Sequence, residues 1–304
     1  MKHYTDADFE GLLTLEETMA GLESAFLDYA KGNAAVQLRV PTHSGGLRIS
    51  TMAAIVPALG ACGAKVYTSS GTRFSFVVLL FSAEDGRLLA TFDAGALTRL
   101  RTAAVSALVA RHLARPESST LVVFGTGAQA GSHAKALAKS LPIREIHVVG
   151  RSAALAFAQE VEARTGVRTL VSDAATAVPV ADVIVTATRA HLPLFDGERV
   201  PEGCCLIAVG ACRLDAAELD AATFRRAGTI VVESVEQARH EAGDFVAAAA
   251  AGVDVWDRLT EFGTLLAGEA PGRTSAKEIT VFESIGLALE DVAVAALAYA
   301  KLQR

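Results

Sequence analysis

The sequence predicts an α/β protein in two parts: an N-terminal α+β region, then a doubly wound parallel sheet. Three observations carry this. Leu121–Phe124 is an apolar run that breaks into Gly125-Thr126-Gly127 and turns helical at once. From Thr120 onward, short apolar strands alternate with helical stretches, which is the rhythm of a parallel sheet covered on both faces. Between Val36 and Asp93, strands follow one another without helices, as in an antiparallel sheet. A chain of 304 residues exceeds one ordinary core, so two domains are expected. With 51% hydrophobic and 20% charged residues, both should be packed and globular.

The first helix should start at Thr14, where Thr14 and Glu17 form a capping box, and end near Gly32. Leu15, Met19, Leu22, Ala25, Phe26 and Tyr29 share its apolar face. Strands follow at Leu47–Val56, Ala61–Thr68, Phe74–Phe81 and Leu88–Phe92, the last two joined through Glu84-Asp85-Gly86. Thr98–Ala114 reads as a helix with Leu100, Ala104, Ala107, Leu108 and Leu113 inward. Pro116 and the polar residues through Thr120 place a domain boundary there, at 117/118. Strands of the parallel sheet are expected at 120–124, 145–149, 168–171, 182–186, 205–209 and 229–232. Beyond Glu233, helices are expected at 246–251 and 256–266, a short strand at 279–282, and a long helix at 285–302.

The net charge of −6 and the lack of a basic cluster argue against nucleic acid as a partner. No apolar stretch is long enough for a membrane span, and the acidic start does not read as a secretory signal. Cys62, Cys204, Cys205 and Cys212 lack metal-ligand spacing, so no metal is expected, and four reduced thiols fit a cytoplasmic protein.

Gly125-Thr126-Gly127-Ala128-Gln129-Ala130 is a strand–turn–helix cradle for a dinucleotide pyrophosphate, with Gly125, Gly127, Ala128 and Gln129 nearest the anion. At the end of the next strand a carboxylate would accept from a ribose 2′-OH; here Arg151 and Ser152 offer a guanidinium and a hydroxyl. This favours NADP(H) over NAD(H). An Arg151 that only stacks on adenine would leave the preference open. Thr186, Ala187, Thr188, Val209 and Gly210 end two further strands and should border the cofactor. In the first region, Arg39, Arg48, Arg73 and Arg99 read mostly as surface charges. Lys65 lies inside an apolar strand and Arg101 in a helix that otherwise looks buried. Each needs an anion: a substrate carboxylate, or an internal Asp or Glu.

Leu97–Ala104 (LTRLRTAA), Phe124–Ala130 (FGTGAQA), Val148–Ser152 (VVGRS), Thr186–Phe195, Val209–Asp220 (VGACRLDAAELD) and Ile279–Asp291 (ITVFESIGLALED) together resemble the ornithine cyclodeaminase/mu-crystallin family over nearly the whole chain. The resemblance implies a Rossmann domain at 118–282. It also implies a substrate-binding domain at 1–117 with 283–304, whose sheet pairs with a second copy in a homodimer. It implies NAD(P)(H) chemistry on small amino or imino acids. Arg39, Lys65 and Arg101 match the family's carboxylate-binding positions, and Lys65 is the candidate proton donor. Two departures stand out. The segment Tyr67–Thr72 (YTSSGT) lacks the Pro-x-Asn that often follows the lysine and looks shorter. Ala211 stands where ornithine cyclodeaminases carry an aspartate for the δ-amine, and Asp215, four residues on, should not reach that point. These features favour an NAD(P)H-dependent reductase of cyclic imino acids of the Δ1-pyrroline-2-carboxylate or ketimine type. The alternatives are ornithine cyclodeaminase, alanine or another amino-acid dehydrogenase, and a non-catalytic NADPH-binding protein.

Overall fold

The computed structural model describes residues 2–71 and 73–304. They group into two compact units, Met1–Val105 with Gly286–Arg304, and Ser106–Ile285. The division falls within a helix, upstream of the polar segment at Pro116–Thr120.

The first unit opens with β1 (Lys2–Tyr4), α1 (Asp6–Phe9) and α2 (Leu15–Ala30). Thr14 caps α2: its Oγ accepts from the Glu17 N–H at 3.2 Å, and Glu17 Oε2 accepts from the Thr14 N–H at 2.8 Å. Met19, Leu22, Ala25 and Phe26 are buried, as the periodicity requires. Then come β2 (Ala35–Val36), β3 (Val40–Ser44), β4 (Leu47–Val56), β5 (Ala61–Ser70), β6 (Arg73–Ser82), β7 (Leu88–Asp93) and α3 (Gly95–Leu113). The sheet runs β1-β7-β6-β5-β4-β2, with β3 also on β4. All its pairs are antiparallel except β1 on β7. β1 to β3 are too short or too exposed to show a periodic signal, so they escape the sequence reading.

Two expectations change here. Tyr67–Ser70 is not a loop; it continues β5, which pairs with β6 until Ser70 faces Arg73. Thr72, the end of the expected loop, lies outside the described residues. α3 starts at Gly95 rather than Thr98, and every residue from Arg101 to Ala110 is buried. Six alanines and valines in that run let neighbours pack closely on all sides, so the helix has no polar face.

The second unit contains β8 (Thr120–Phe124), α4 (Ala128–Ser140), β9 (Glu145–Val149), α5 (Ala154–Thr165), β10 (Arg168–Val171), α6 (Ala174–Ala177), β11 (Val183–Thr186) and β12 (Cys205–Ala208). It continues through α7 (Ala221–Arg226), β13 (Ala227–Val232), α8 (Val235–Glu241), α9 (Gly243–Ala250), β14 (Leu259–Glu261), α10 (Phe262–Leu266) and β15 (Ile279–Glu283). The sheet is parallel throughout, in the order β10-β9-β8-β11-β12-β15-β13-β14. Its central strands β8, β11 and β12 are buried on both faces, which explains their unbroken apolar runs. The chain reverses direction across the sheet between β8 and β11, where ligands bind in such folds. The expected helix at 256–266 is instead a 3₁₀ turn, strand β14 and short α10. Leu259, Thr260 and Glu261 pair with Ile230, Val231 and Val232 instead of winding into a helix.

The chain ends in α11 (Ala288–Leu302), shorter than expected because Gly286 takes φ +72°. α11 packs on β4, β5, β6 and α2, and Lys301 Nζ donates to both Glu17 oxygens at 2.8 and 2.9 Å. Ala288–Ala296 is buried without interruption. Among the described residues, no helix is long and apolar enough to cross a membrane.

Candidate functional site

In the first unit, the register of β4, β5 and β6 places Met52, Lys65 and Val78 side by side on one face, with Ser50, Tyr67 and Phe76 one step along. α11 and α2 cover this face, which is why a lysine in an apolar strand ends up 2% exposed. Lys65 Nζ donates to Asp291 Oδ1 and Thr98 Oγ1, both at 2.9 Å, and lies 5.0 Å from the Phe76 ring centre. Burial pushes its ammonium down to about 8; the Asp291 carboxylate resists that shift, and the Arg101 charge adds to it.

Arg101 projects from α3, 5% exposed. Its Nη1 donates to Glu290 Oε2 at 2.5 Å and its Nε lies 3.3 Å from Asp291 Oδ1. Glu290 Oε1 accepts from the Leu287 N–H at 2.7 Å, so this carboxylate also closes the first turn of α11. Burial raises the Glu290 pKa, and Arg101 and the Leu287 N–H oppose that rise. Gly286 lies flat against Arg101: a Cβ there would stand 2.7 Å from Nη1. Its carbonyl accepts from Arg39 Nη2 at 3.3 Å.

Arg39, Lys65 and Arg101 therefore come together within one unit, Lys65 from β5, Arg101 from α3 and Arg39 from the segment between β2 and β3. The internal carboxylates that a buried cation requires are present as well, Glu290 and Asp291, both fully buried. The sequence motif ending in Leu289-Glu290-Asp291 contained them, but nothing in the spacing linked residues so far apart in the chain. Arg48 is also not a plain surface charge: it donates to Ser50 Oγ and to the Tyr67 hydroxyl, both at 3.1 Å. Arg73 is exposed and Arg99 half-buried.

In the second unit, Gly125 ends β8 at the reversal point with φ +110°, a conformation open to glycine alone. A Cβ there would stand 2.6 Å from the Ala187 carbonyl, so the turns after β8 and β11 touch backbone to backbone. Gly127 caps α4 with extended backbone and no side-chain bond, and a Cβ there would meet nothing within 4 Å. The first amides of α4, from Ala128 and Gln129 on, thus point into open space at the positive end of a 13-residue helix. This cradle fits a dinucleotide pyrophosphate. Arg151 and Ser152 are exposed beyond β9, and the Thr126 hydroxyl donates to the Ser152 carbonyl at 3.2 Å, bringing that segment to the glycine turn.

Thr186 is buried at the end of β11, Ala187 and Thr188 lead out of it, and Val209 and Gly210 lead out of β12. The sequence reading missed what joins the last two turns. Glu218, fully buried, accepts from the Thr188 N–H and hydroxyl, each at 2.6 Å, and from the Gly210 N–H at 2.8 Å. Ala211 is buried and presents no carboxylate, while exposed Asp215 is engaged with Arg213 Nε at 2.8 Å. All four cysteines are free thiols. Burial pushes Cys205 up to about 11 and Cys204 further, which leaves both unreactive. Among the described residues, no group of three or more His, Cys, Asp or Glu side chains could hold a metal ion.

The family model for the ornithine cyclodeaminase/mu-crystallin family matches residues 3–304. A Δ1-pyrroline-2-carboxylate reductase of Bacillus cereus is 36% identical over 261 residues, covering 82% of this chain and 80% of that protein. A solved structure described as a probable ornithine cyclodeaminase from Bordetella pertussis superposes with a TM-score of 0.97 at 43% identity, over 100% of this chain and 98% of its own. The Δ1-pyrroline-2-carboxylate reductase of Thermococcus litoralis, solved with NADH and L-proline, gives 0.95 at 29% identity, over 100% and 98%.

Proposed function

The chain belongs to the ornithine cyclodeaminase/mu-crystallin family, and from that premise we propose that it is an NADPH-dependent reductase of small cyclic α-imino acids, of which Δ1-pyrroline-2-carboxylate, reduced to L-proline, is the model substrate. The observation that carries this is the braced cation cluster of the first unit. Lys65 and Arg101 meet the carboxylates of Glu290 and Asp291, and Arg39 joins them through the Gly286 carbonyl. Cations gathered in this way suit a substrate carboxylate. Each charged hydrogen bond to that carboxylate would contribute about 1.5–3 kcal/mol.

A reduced nicotinamide dinucleotide held by the glycine cradle would supply the hydride to C2 of the imine. What the chain must add is orientation of the carboxylate and a proton at the imine nitrogen. Lys65 has the right chemistry for the second task. Its ammonium is pushed down to about 8, so it is charged at neutral pH and gives up a proton readily. Ornithine cyclisation would need a base at the δ-amine; Ala211 supplies none, and Asp215 is bound to Arg213. We assign the 2′-phosphate of NADPH to Arg151 and Ser152. We also assign the outer face of β4, where Leu47, Ile49 and Ile55 are 51%, 40% and 50% exposed, to contact with a second copy in a homodimer.

The test offers the purified protein NADPH or NADH with Δ1-pyrroline-2-carboxylate, NAD+ with L-ornithine, and NADH with pyruvate and ammonia. Proline formed from the imino acid with matching NADPH consumption is expected. Proline from ornithine without net nucleotide change, or turnover of pyruvate alone, would overturn the reading. Arg101→Leu should abolish turnover while nucleotide binding is retained.

A further inference from the structure

We propose that Glu218 is a positioning residue of the nucleotide half of the site, its ionised carboxylate locking the turn after β11 to the turn after β12. The inference rests on the dinucleotide reading above and adds a residue that touches neither nucleotide nor substrate. Two independent features support it. The first is the bonding: three donors, the Thr188 N–H, the Thr188 hydroxyl and the Gly210 N–H, converge on its two oxygens at 2.6–2.8 Å. The second is steric. A Cβ on Gly210 would stand 2.5 Å from the Glu218 carboxyl carbon, from its Oε2 and from the Thr188 carbonyl oxygen, so the carboxylate and the turn it holds together leave room only for glycine. The 209–220 segment thus folds back on its own start and fixes Val209-Gly210 relative to Ala187-Thr188.

Glu218 is itself held from behind. Its N–H and that of Leu219 donate to Asp244 Oδ1, on α9, at 2.7 and 2.9 Å. The titratable groups that interact with it are Asp244 and Glu283, at the end of β15. Both are acids. Burial raises Glu218 above the usual carboxylate range while the Thr188 and Gly210 bonds hold it down; burial likewise raises Asp244, to about 7. The ionised Glu218 holds its three donors more strongly than the neutral acid would, since a hydrogen bond to a charged acceptor is about twice as strong as a neutral one. Nucleotide affinity should therefore fall as pH drops through the Glu218 pKa.

The experiment titrates the full chain with NADPH and NADH by nucleotide fluorescence, pH 4.5 to 8.5, for wild type, Glu218→Gln and Glu218→Asp. Wild type binding neither nucleotide would refute the dinucleotide reading itself, and this one with it. Given wild-type binding, Glu218→Gln sets an NH2 against a backbone N–H. It should weaken the preferred nucleotide about tenfold or more, with the imino-acid KM within about twofold. A folded Glu218→Gln protein with wild-type nucleotide affinity overturns the proposal. Should Glu218→Gln fail to fold, Glu218→Asp decides: it keeps the charge and withdraws the carboxylate by one methylene from Thr188 and Gly210, and a folded protein with wild-type nucleotide affinity overturns the proposal.

Discussion

Replacing Asp291 with asparagine keeps the size and shape of a fully buried side chain and removes its charge. Asp291 Oδ1 lies 2.9 Å from Lys65 Nζ and 3.3 Å from Arg101 Nε. At 2.9 Å, and with an effective dielectric of about 20, the attraction to Lys65 is about 6 kcal/mol. Asparagine retains a carbonyl that still accepts from the ammonium, so only part of this is lost. A quarter of it already lowers the Lys65 pKa by about one unit. Lys65 stands at about 8 in the wild type, with burial as the main cause and Asp291 the main opposing influence. Because the lysine is active as an acid, activity falls as pH rises through its pKa. In Asp291→Asn the alkaline limb of kcat/KM should move from near pH 8 to about pH 7 or below, with kcat/KM at pH 8 down about fivefold or more. The assay is NADPH oxidation with Δ1-pyrroline-2-carboxylate between pH 5.5 and 9.5. Both proteins meet the same substrate, so its own titration cancels in the comparison. An alkaline limb unmoved in Asp291→Asn would refute the assignment of Lys65 as proton donor supported by Asp291.

Gly125→Ala places a Cβ 2.6 Å from the Ala187 carbonyl at φ +110°; it should cost about 1–3 kcal/mol of stability, read by denaturant unfolding, and should lower nucleotide affinity with it. Arg151→Asp brings a carboxylate to the end of β9, and the ratio of NADPH to NADH affinity should fall at least tenfold; an unchanged ratio would remove Arg151 from the 2′-phosphate site.

The sequence alone determined the elements whose signal is local. The Thr14–Glu17 capping box, the strand–glycine–helix turn at Gly125 and the apolar runs of the parallel strands each depend on neighbours within a few positions. The capping bonds, the φ of Gly125 and the double-sided burial of β8, β11 and β12 agree with those readings. The same locality explains the failures. A stretch such as Trp256–Leu266 has helical composition, but β14 forms there because β13 is beside it to pair with. Tyr67–Ser70 has the small polar residues of a loop, but β6 extends the ladder to Ser70. Lys65 and Arg101 showed in the sequence only as cations in apolar surroundings, with a choice between substrate and internal anion. Tertiary structure decided that Glu290 and Asp291, some two hundred residues away, share them. It also showed Glu218 reaching back to Gly210 and Thr188. Such pairings depend on distances fixed only when sheet and helices pack, because a buried charge must find its partner wherever the fold brings one.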